Sequence, residues 1–331
     1  MLGMRERKRP RPSGKNQTAI VLAAPTTLMV APELVERARD FARASRSEAT
    51  RKAYRSDWAH FAAWCEEHGV AARPATPMTV ALYATSLADS GSFKPSTISR
   101  RMPSIGQAHK TAGLANPCDS ETVKLALAGI RRTLGVAQKQ AKPLLPAEMR
   151  AAVEPLKGIK GTRDRALLLL GFAGAFRRSE LVALNVGDLE FGRDGLTVVI
   201  RRSKTDQEGQ GRKLGIPFGA EPQTCPVAAV RAWLEASGID KGAVFRPVRR
   251  GGAILPCRLS DHAVRDIIRA TAGDEFSGHS LRAGLATAAA KAGKSAPAIM
   301  KQTGHKSLAM VSRYIRDAEL FTDNAASGIG L

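Results

Sequence analysis

The sequence predicts a mainly α-helical protein of two domains: an all-helical N-terminal domain, then a mixed α/β domain that is mostly helical around a small antiparallel sheet. Three observations carry this. Apolar residues recur at helical spacing through residues 33–134 and again from Pro146 onward. The segment Leu196 to Phe218 has the β-branched residues and glycine turn of a hairpin. Between the two regions, residues 135–143 hold Gln138, Lys139, Gln140 and Lys142 and almost nothing to bury, which makes this stretch the linker. A length of 331 residues with 44% hydrophobic content suffices for two cores.

Charge narrows the partners. The formal net charge of +21 raises the local concentration of polyanions and favours nucleic acid, whereas solubility alone needs a far smaller imbalance. Basic residues occur in both domains, with Arg51, Arg55, Arg100 and Arg101 early and Lys204, Arg212, Arg249 and Arg250 late, so a basic tail does not account for the excess. Cys65, Cys118, Cys225 and Cys257 are too far apart in sequence for a zinc or redox motif and read as reduced thiols. No metal site and no cofactor is expected. Near the N-terminus, Arg5, Arg7, Lys8, Arg9 and Arg11 precede the apolar residues Ala19 to Ala24, but Pro25-Thr26-Thr27 breaks that run, so it is not read as an export signal. The apolar run Ala166 to Phe176 is far shorter than the ~20 residues that cross a bilayer. A soluble, cytoplasmic protein with no membrane partner is the expectation.

In chain order, residues 1–32 mix Arg and Lys with Pro, Gly and Thr and read as a flexible basic arm. Pro32 to Ser45 predicts a short helix with Leu34, Ala38, Phe41 and Ala42 on one face. Ser47 to His68 predicts a longer one, on Tyr54, Trp58, Phe61, Ala62 and Cys65. Thr79 to Ala88 and Thr97 to Thr111 follow, each behind a proline turn signal, and Pro103 is expected to kink or end the second. Asp119 or Ser120 caps a helix to Leu134, with Val123, Leu127 and Ile130 inward. Arg51 and Arg55 lie one turn apart; Arg100, Arg101 and Lys110 share another helix. Arginines on two helices point to a DNA clamp, because a helix fits the major groove and Arg reads guanine there.

In the second half, Pro146 opens a helix on Met149, Val153 and Leu156, and Ala166 to Phe176 has the composition of a buried one. Arg177 follows that run directly, with Glu180 three residues on. An exposed Arg/Glu pair would contribute little; the apolar run before it places this pair at the floor of a cleft. Leu196–Arg202 and Arg212–Phe218 form the hairpin, with the turn at Gly209–Gly211 and Lys204 where the first strand gives way to it. Pro226–Ser237 and Asp261–Thr271 are helices leading back to Gly278.

Residues 278–316 concentrate groups suited to phosphate. His279 and Arg282 lie three apart and share a helix face. His305 and Tyr314 lie about two and a half turns apart, on opposite faces of any unbroken helix. A break at Gly304-His305-Lys306-Ser307, with Ser307 capping a new helix, would bring the phenol beside two imidazoles and a guanidinium.

Arg177-Arg178-Ser179-Glu180-Leu181, then Lys204 in a hairpin, then His279-Ser280-Leu281-Arg282, then Gly304-His305, then Tyr314, resembles in composition and order the tyrosine recombinase (phage integrase) family. Gly278-His279-Ser280-Leu281-Arg282-Ala283-Gly284 and Tyr314-Ile315-Arg316 are most similar to its Cre-type phage recombinases. Ala283 departs from the many relatives with a second His there, and His305 stands where Cre has Trp. The resemblance implies a helical core-binding domain over residues 33–134 and a catalytic domain over 144–331. It implies partners too: double-stranded DNA with a specific, inverted-repeat site, and a homotetramer on two such sites exchanging strands through a four-way junction. Such an enzyme belongs to a prokaryote or phage and works at the nucleoid. The tail from Asp317 to Leu331, with Leu320, Phe321 and Ile329 as anchors, would dock on a neighbouring protomer.

Cutting a phosphodiester without a metal needs a nucleophile, cations for the phosphoryl oxygens and a proton for the leaving oxygen. Tyr314 supplies the first and stores the bond energy as a phosphotyrosine, and Arg177 and Arg282 supply paired donors. On the family resemblance His279 accepts the phenol proton, His305 donates to a phosphoryl oxygen, Lys204 protonates the departing oxygen, and Glu180 orients the cluster. The alternatives are a type IB topoisomerase or telomere resolvase, or a non-catalytic DNA-binding protein of the same fold.

Overall fold

The computed structural model describes residues 31–136, 142–203, 206 and 209–319. The basic arm up to residue 30, the middle of the linker, Lys204 and the tail anchors Leu320, Phe321 and Ile329 lie outside the described residues. The chain divides into two compact units, Met1–Gln138 and Lys139–Leu331.

The first unit is helical: α1 (Pro32–Ala44), α2 (Glu48–Glu67), α3 (Pro77–Asp89), α4 (Pro95–Thr111) and α5 (Glu121–Leu134). Side chains set the helix starts, with Ser47, Thr76 and Ser120 each accepting a backbone N–H of the first turn. Phe61, Tyr83, Ile98, Ile105 and Val123 form the centre of its core. The expected inward positions on α5 hold, with Val123 buried and Leu127 and Ile130 packed against the cluster. α1 forms as its periodicity predicts but buries no residue, and Leu34 and Phe41 are exposed.

Of the two outcomes expected at Pro103, an end to the helix does not occur, because α4 continues to Thr111. A proline inside a helix costs ~3 kcal/mol, but Ile98, Met102 and Ile105 on the same helix are buried in the core. Burying three such side chains contributes more than that, roughly 1.5–3 kcal/mol each.

The second unit contains α6 (Pro146–Val153), α7 (Gly158–Ala173), α8 (Arg178–Ala183), β1 (Leu189–Phe191), β2 (Gly195–Ile200), β3 (Arg212–Pro217), α9 (Pro226–Ser237), α10 (Asp261–Ala272), α11 (Ser280–Lys291), α12 (Ala296–Thr303) and α13 (Leu308–Glu319). The sheet is antiparallel in the order β1-β2-β3, with Leu196 opposite Ile216 and Val198 between Leu189 and Leu214. The three-residue β1 has too little alternation to be read from sequence and exists because β2 offers it an edge. Leu167, Leu168, Leu170, Trp233, Phe245 and Leu281 are buried in the main core. A smaller cluster of Ala286, Ala290, Ile299 and Val311 joins the last three helices, with Tyr314 packed against it.

Two features of this packing place the catalytic motifs. Leu144 donates its backbone N–H to the Ser280 carbonyl, and a Cβ on Gly284 would stand 1.9 Å from the Leu144 carbonyl oxygen. Only glycine lets α11 approach the segment leading into α6 so closely. At the end of α7, Ala175 adopts a left-handed φ of 47°, unusual for a residue with a Cβ, and turns the chain so that Arg177 begins α8.

Candidate active site

Arg177 is the N-cap residue of α8, and Glu180 lies in that helix's first turn. The Glu180 carboxylate accepts the Arg177 backbone N–H at 3.0 Å and its Nη1 at 2.5 Å. Glu180 is buried, while the Arg177 side chain keeps 22% of its surface exposed. One carboxylate therefore fixes both the start of the helix and the direction of the guanidinium. Beside it lies a cleft of about 490 Å³ lined by Phe176, Arg177, Arg178, Ser179, Asp261, Arg265, Ser277, Gly278 and His279. A Cβ on Gly278 would fall 1.9 Å from Cδ of Arg178, so glycine lets the Arg178 side chain lie against this turn.

Arg282, on the first turn of α11, is buried and donates Nη1 to the Ala175 carbonyl at 2.9 Å. Its Nη2 is buried with no hydrogen-bond partner among the described residues. Burial, then the neighbouring Arg177 guanidinium, lower its pKa to about 10, so it remains a cation at neutral pH.

α12 ends at Gly304 in the left-handed conformation, φ 67°, and α13 starts at Leu308. The break predicted at Gly304–Ser307 is present. It folds α13 back so that Tyr314 Oη stands 3.1 Å from Nε2 of His279, while the His305 and Tyr314 rings stack with centroids 6.0 Å apart. Residues 35 positions apart thus meet after the chain turns once at residues 292–295 and again at 304–307.

Both imidazoles are held neutral. Burial, followed by the positive fields of Arg282, Arg177 and Arg313, depresses His279 below its ordinary value. Burial, then Arg282, Arg177, His279 and Arg212, lower His305 to about 4. A neutral His279 is competent to accept the phenol proton. His305 Nδ1 meets Thr303 Oγ1 at 2.9 Å, and that hydroxyl reaches the Ile299 carbonyl at 2.7 Å. A hydroxyl has one proton. It goes to the carbonyl, so Nδ1 is the donor and Nε2 of the neutral ring bears the lone pair. Donation from Nε2 to a phosphoryl oxygen, expected from the sequence, therefore first requires His305 to take up a proton.

Arg177, Glu180, His279, Arg282, His305 and Tyr314 are brought together; Lys204 falls outside the described residues. Sequence reasoning missed two neighbours, Thr303 and Arg212. Thr303 adjoins the Gly304-His305 motif, and Arg212 opens β3, but no spacing rule connects either to the other groups.

In the first unit the outcome is mixed. Arg51, Arg55 and Lys110 are exposed. Arg100 is exposed but engages the buried Asp57 with two hydrogen bonds, at 2.5 and 3.0 Å. Arg101 corrects the expectation of an exposed basic face: it is buried, donates to Tyr83 Oη at 2.9 Å and lies over the Phe93 ring. The physical reason is that Ile98, Met102 and Ile105 turn one face of α4 inward. Arg101 lies at the edge of that face, where Asp57 at 3.9 Å, Tyr83 and Phe93 surround the guanidinium while its buried Nε has no hydrogen-bond partner among the described residues. All four cysteines are free. Among the described residues no group of acidic, histidine or cysteine side chains could hold a metal ion, and no helix is long and apolar enough to cross a membrane.

A buried guanidinium, a second one fixed by a buried carboxylate, and a tyrosine in contact with a neutral histidine are thus gathered in one place. The chain belongs to the phage integrase family, which its residues 138–320 match, and it is a site-specific DNA recombinase of the tyrosine class. It is 40% identical over 292 residues to the integrase/recombinase XerD homolog of Selenomonas ruminantium, covering 85% of each chain. To recombinase Cre of Escherichia phage P1 it is 28% identical over 299 residues, covering 82% of this chain and 85% of that one. Among solved structures, a lambda integrase dimer bound to a COC' core site is similar in fold at a TM-score of 0.54 and 16% identity, covering 86% of this chain and 94% of that one. XerH recombinase bound to a palindromic difH substrate is similar at a TM-score of 0.53 and 15% identity, covering 75% and 70%.

Proposed function

We propose that this recombinase cuts each DNA strand with Tyr314. The phenol oxygen attacks the phosphorus, the bond to the 5′ oxygen breaks, and a 3′-phosphotyrosine remains on the protein. The reverse attack by a 5′-hydroxyl from a second site then rejoins the strands and regenerates the tyrosine. The observation that carries this is the 3.1 Å contact between Tyr314 Oη and His279 Nε2, because a phenol of ordinary pKa ~10 needs an acceptor at hydrogen-bond distance to attack at neutral pH.

The other roles follow from charge and position. Arg177 and Arg282 bind the phosphoryl oxygens, and Glu180 orients Arg177. Lys204 protonates the departing 5′ oxygen. His305 takes a proton at Nε2 once a phosphate offsets the cations that depress it, and then donates to a phosphoryl oxygen.

DNA is held by the helical core-binding domain, residues 33–134, through Arg51, Arg55, Arg100 and Lys110, with the basic arm, residues 1–32, adding phosphate contacts. The linker, residues 135–143, joins it to the catalytic domain, residues 144–331. Four copies act on two inverted-repeat sites through a four-way junction, in the cytoplasm at the nucleoid. The tail Asp317–Leu331 docks on the neighbouring protomer through Leu320, Phe321 and Ile329.

Covalent trapping tests the reading. Wild type and Tyr314→Phe are incubated with a pooled DNA library without metal, denatured, and the attached DNA is sequenced. Attachment by wild type only, at one recurring sequence, is expected. An adduct that persists in Tyr314→Phe would overturn the assignment, and selective binding with no adduct from either protein would favour a DNA-binding protein without catalysis.

A further inference from the structure

The reaction centre holds a guanidinium that none of the recognised motifs includes. Arg212 is the first residue of β3, and its Nη1 donates to the carbonyls of Lys301 at 3.1 Å and Gln302 at 3.2 Å, at the end of α12. A Cβ on Gly304 would lie 3.0 Å from Cζ of Arg212, so the guanidinium rests against the turn that presents His305. These contacts occupy one end of its fork. At the other end Nη2 is buried with no hydrogen-bond partner among the described residues, the same condition as Nη2 of Arg282. The charges that act on Arg212 are those of Glu180 and Arg177, and Arg212 in turn acts on Arg282 and His305. It belongs to the same electrostatic cluster as the recognised groups.

We infer that Arg212 is a third phosphate-contacting arginine, its Nη2 donating, alongside Nη2 of Arg282, to the nonbridging oxygens of the phosphate attacked by Tyr314. The inference rests on that reading of Tyr314. Two buried donors without acceptors each carry a desolvation cost, and an oxyanion reached by both would relieve it. Charge supports the same conclusion. A bound phosphodiester carries one negative charge, and attack by the phenolate oxygen brings the phosphorane to two. A third arginine at the phosphate therefore interacts more strongly with the transition state than with the bound ground state, which accelerates the reaction rather than merely tightening binding.

The competing role for Arg212 is a tether that holds the end of α12. The two are separated by the rate of covalent-adduct formation on duplexes carrying the sequence recovered by trapping. One duplex has an ordinary phosphodiester at the attacked position and the other a neutral methylphosphonate. Arg212→Gln is expected to slow the wild-type rate about 100-fold on the phosphodiester but less than about 5-fold on the methylphosphonate, where the charge to be neutralised is gone. Arg212→Lys, which keeps the charge without the fork, is expected to fall between wild type and Arg212→Gln on the phosphodiester. It also supplies the comparison if Arg212→Gln does not fold. Equal slowing on both duplexes by either variant, or wild-type rates for Arg212→Gln, would overturn the inference. A wild type that forms no adduct on the phosphodiester overturns the Tyr314 reading and this one with it, whereas equal slowing overturns this one alone.

Discussion

The Thr303 hydroxyl donates to the Ile299 carbonyl at 2.7 Å and accepts from His305 Nδ1 at 2.9 Å. A fully buried threonine thereby decides which nitrogen of a reaction-centre histidine is free for the substrate.

Replacing that hydroxyl tests its role. Thr303→Val keeps the shape and removes the acceptor, leaving both tautomers accessible, and is expected to slow adduct formation about 10-fold, the equivalent of one hydrogen bond. Thr303→Ser should restore the rate to near wild type. A rate for Thr303→Val equal to wild type, in the same single-turnover assay, would show that the tautomer is set elsewhere.

Acid should weaken the free protein through the same residue. The His305 pKa is about 4 folded, against an ordinary value near 6.5. Between these values the unfolded chain binds more protons, so stability rises with pH and is lost as pH falls from about 6.5 to about 4. Thermal unfolding across this window should show wild type losing more stability than His305→Gln. The depressed His279 has the same sign in both proteins and does not affect the comparison. Parallel curves for the two proteins would refute the assignment.

Arginines of the helical unit should separate into two groups. Arg101→Ala removes a buried side chain that bonds Tyr83 and covers Phe93, and is expected to cost ~2 kcal/mol in urea unfolding. Arg51→Ala and Arg55→Ala should change stability by less than about 0.5 kcal/mol. Each should instead reduce the slope of log affinity against log salt by about 0.9, as expected for one lost phosphate contact. Salt-series binding to duplex DNA measures this, and unchanged slopes would remove both residues from the interface.

Much of the fold could be read locally. Helix starts at Ser47 and Ser120, the hairpin strands, α9 and α10 follow from capping and periodicity, signals contained within a few residues. Local signals fall short where distant packing overrides local preference. Pro103 does not end α4 because its neighbours are buried, Arg101 is drawn inward by Asp57, Tyr83 and Phe93, and β1 exists only because β2 lies beside it.

The catalytic centre divides in the same way. The sequence by itself determined the family, the candidate reacting groups and the need for a break in the segment Gly304–Ser307, because residue type and short-range spacing are properties of the chain alone. Only the tertiary structure decided that Tyr314 meets His279 rather than another acceptor, that Thr303 orients His305, and that Arg212 joins Arg282 with an unpaired nitrogen. Those relationships join β3, α11, α12 and α13, elements far apart in sequence. Hydrogen bonds act over about 3 Å, a range that no spacing along the chain specifies until the core has set the elements in place.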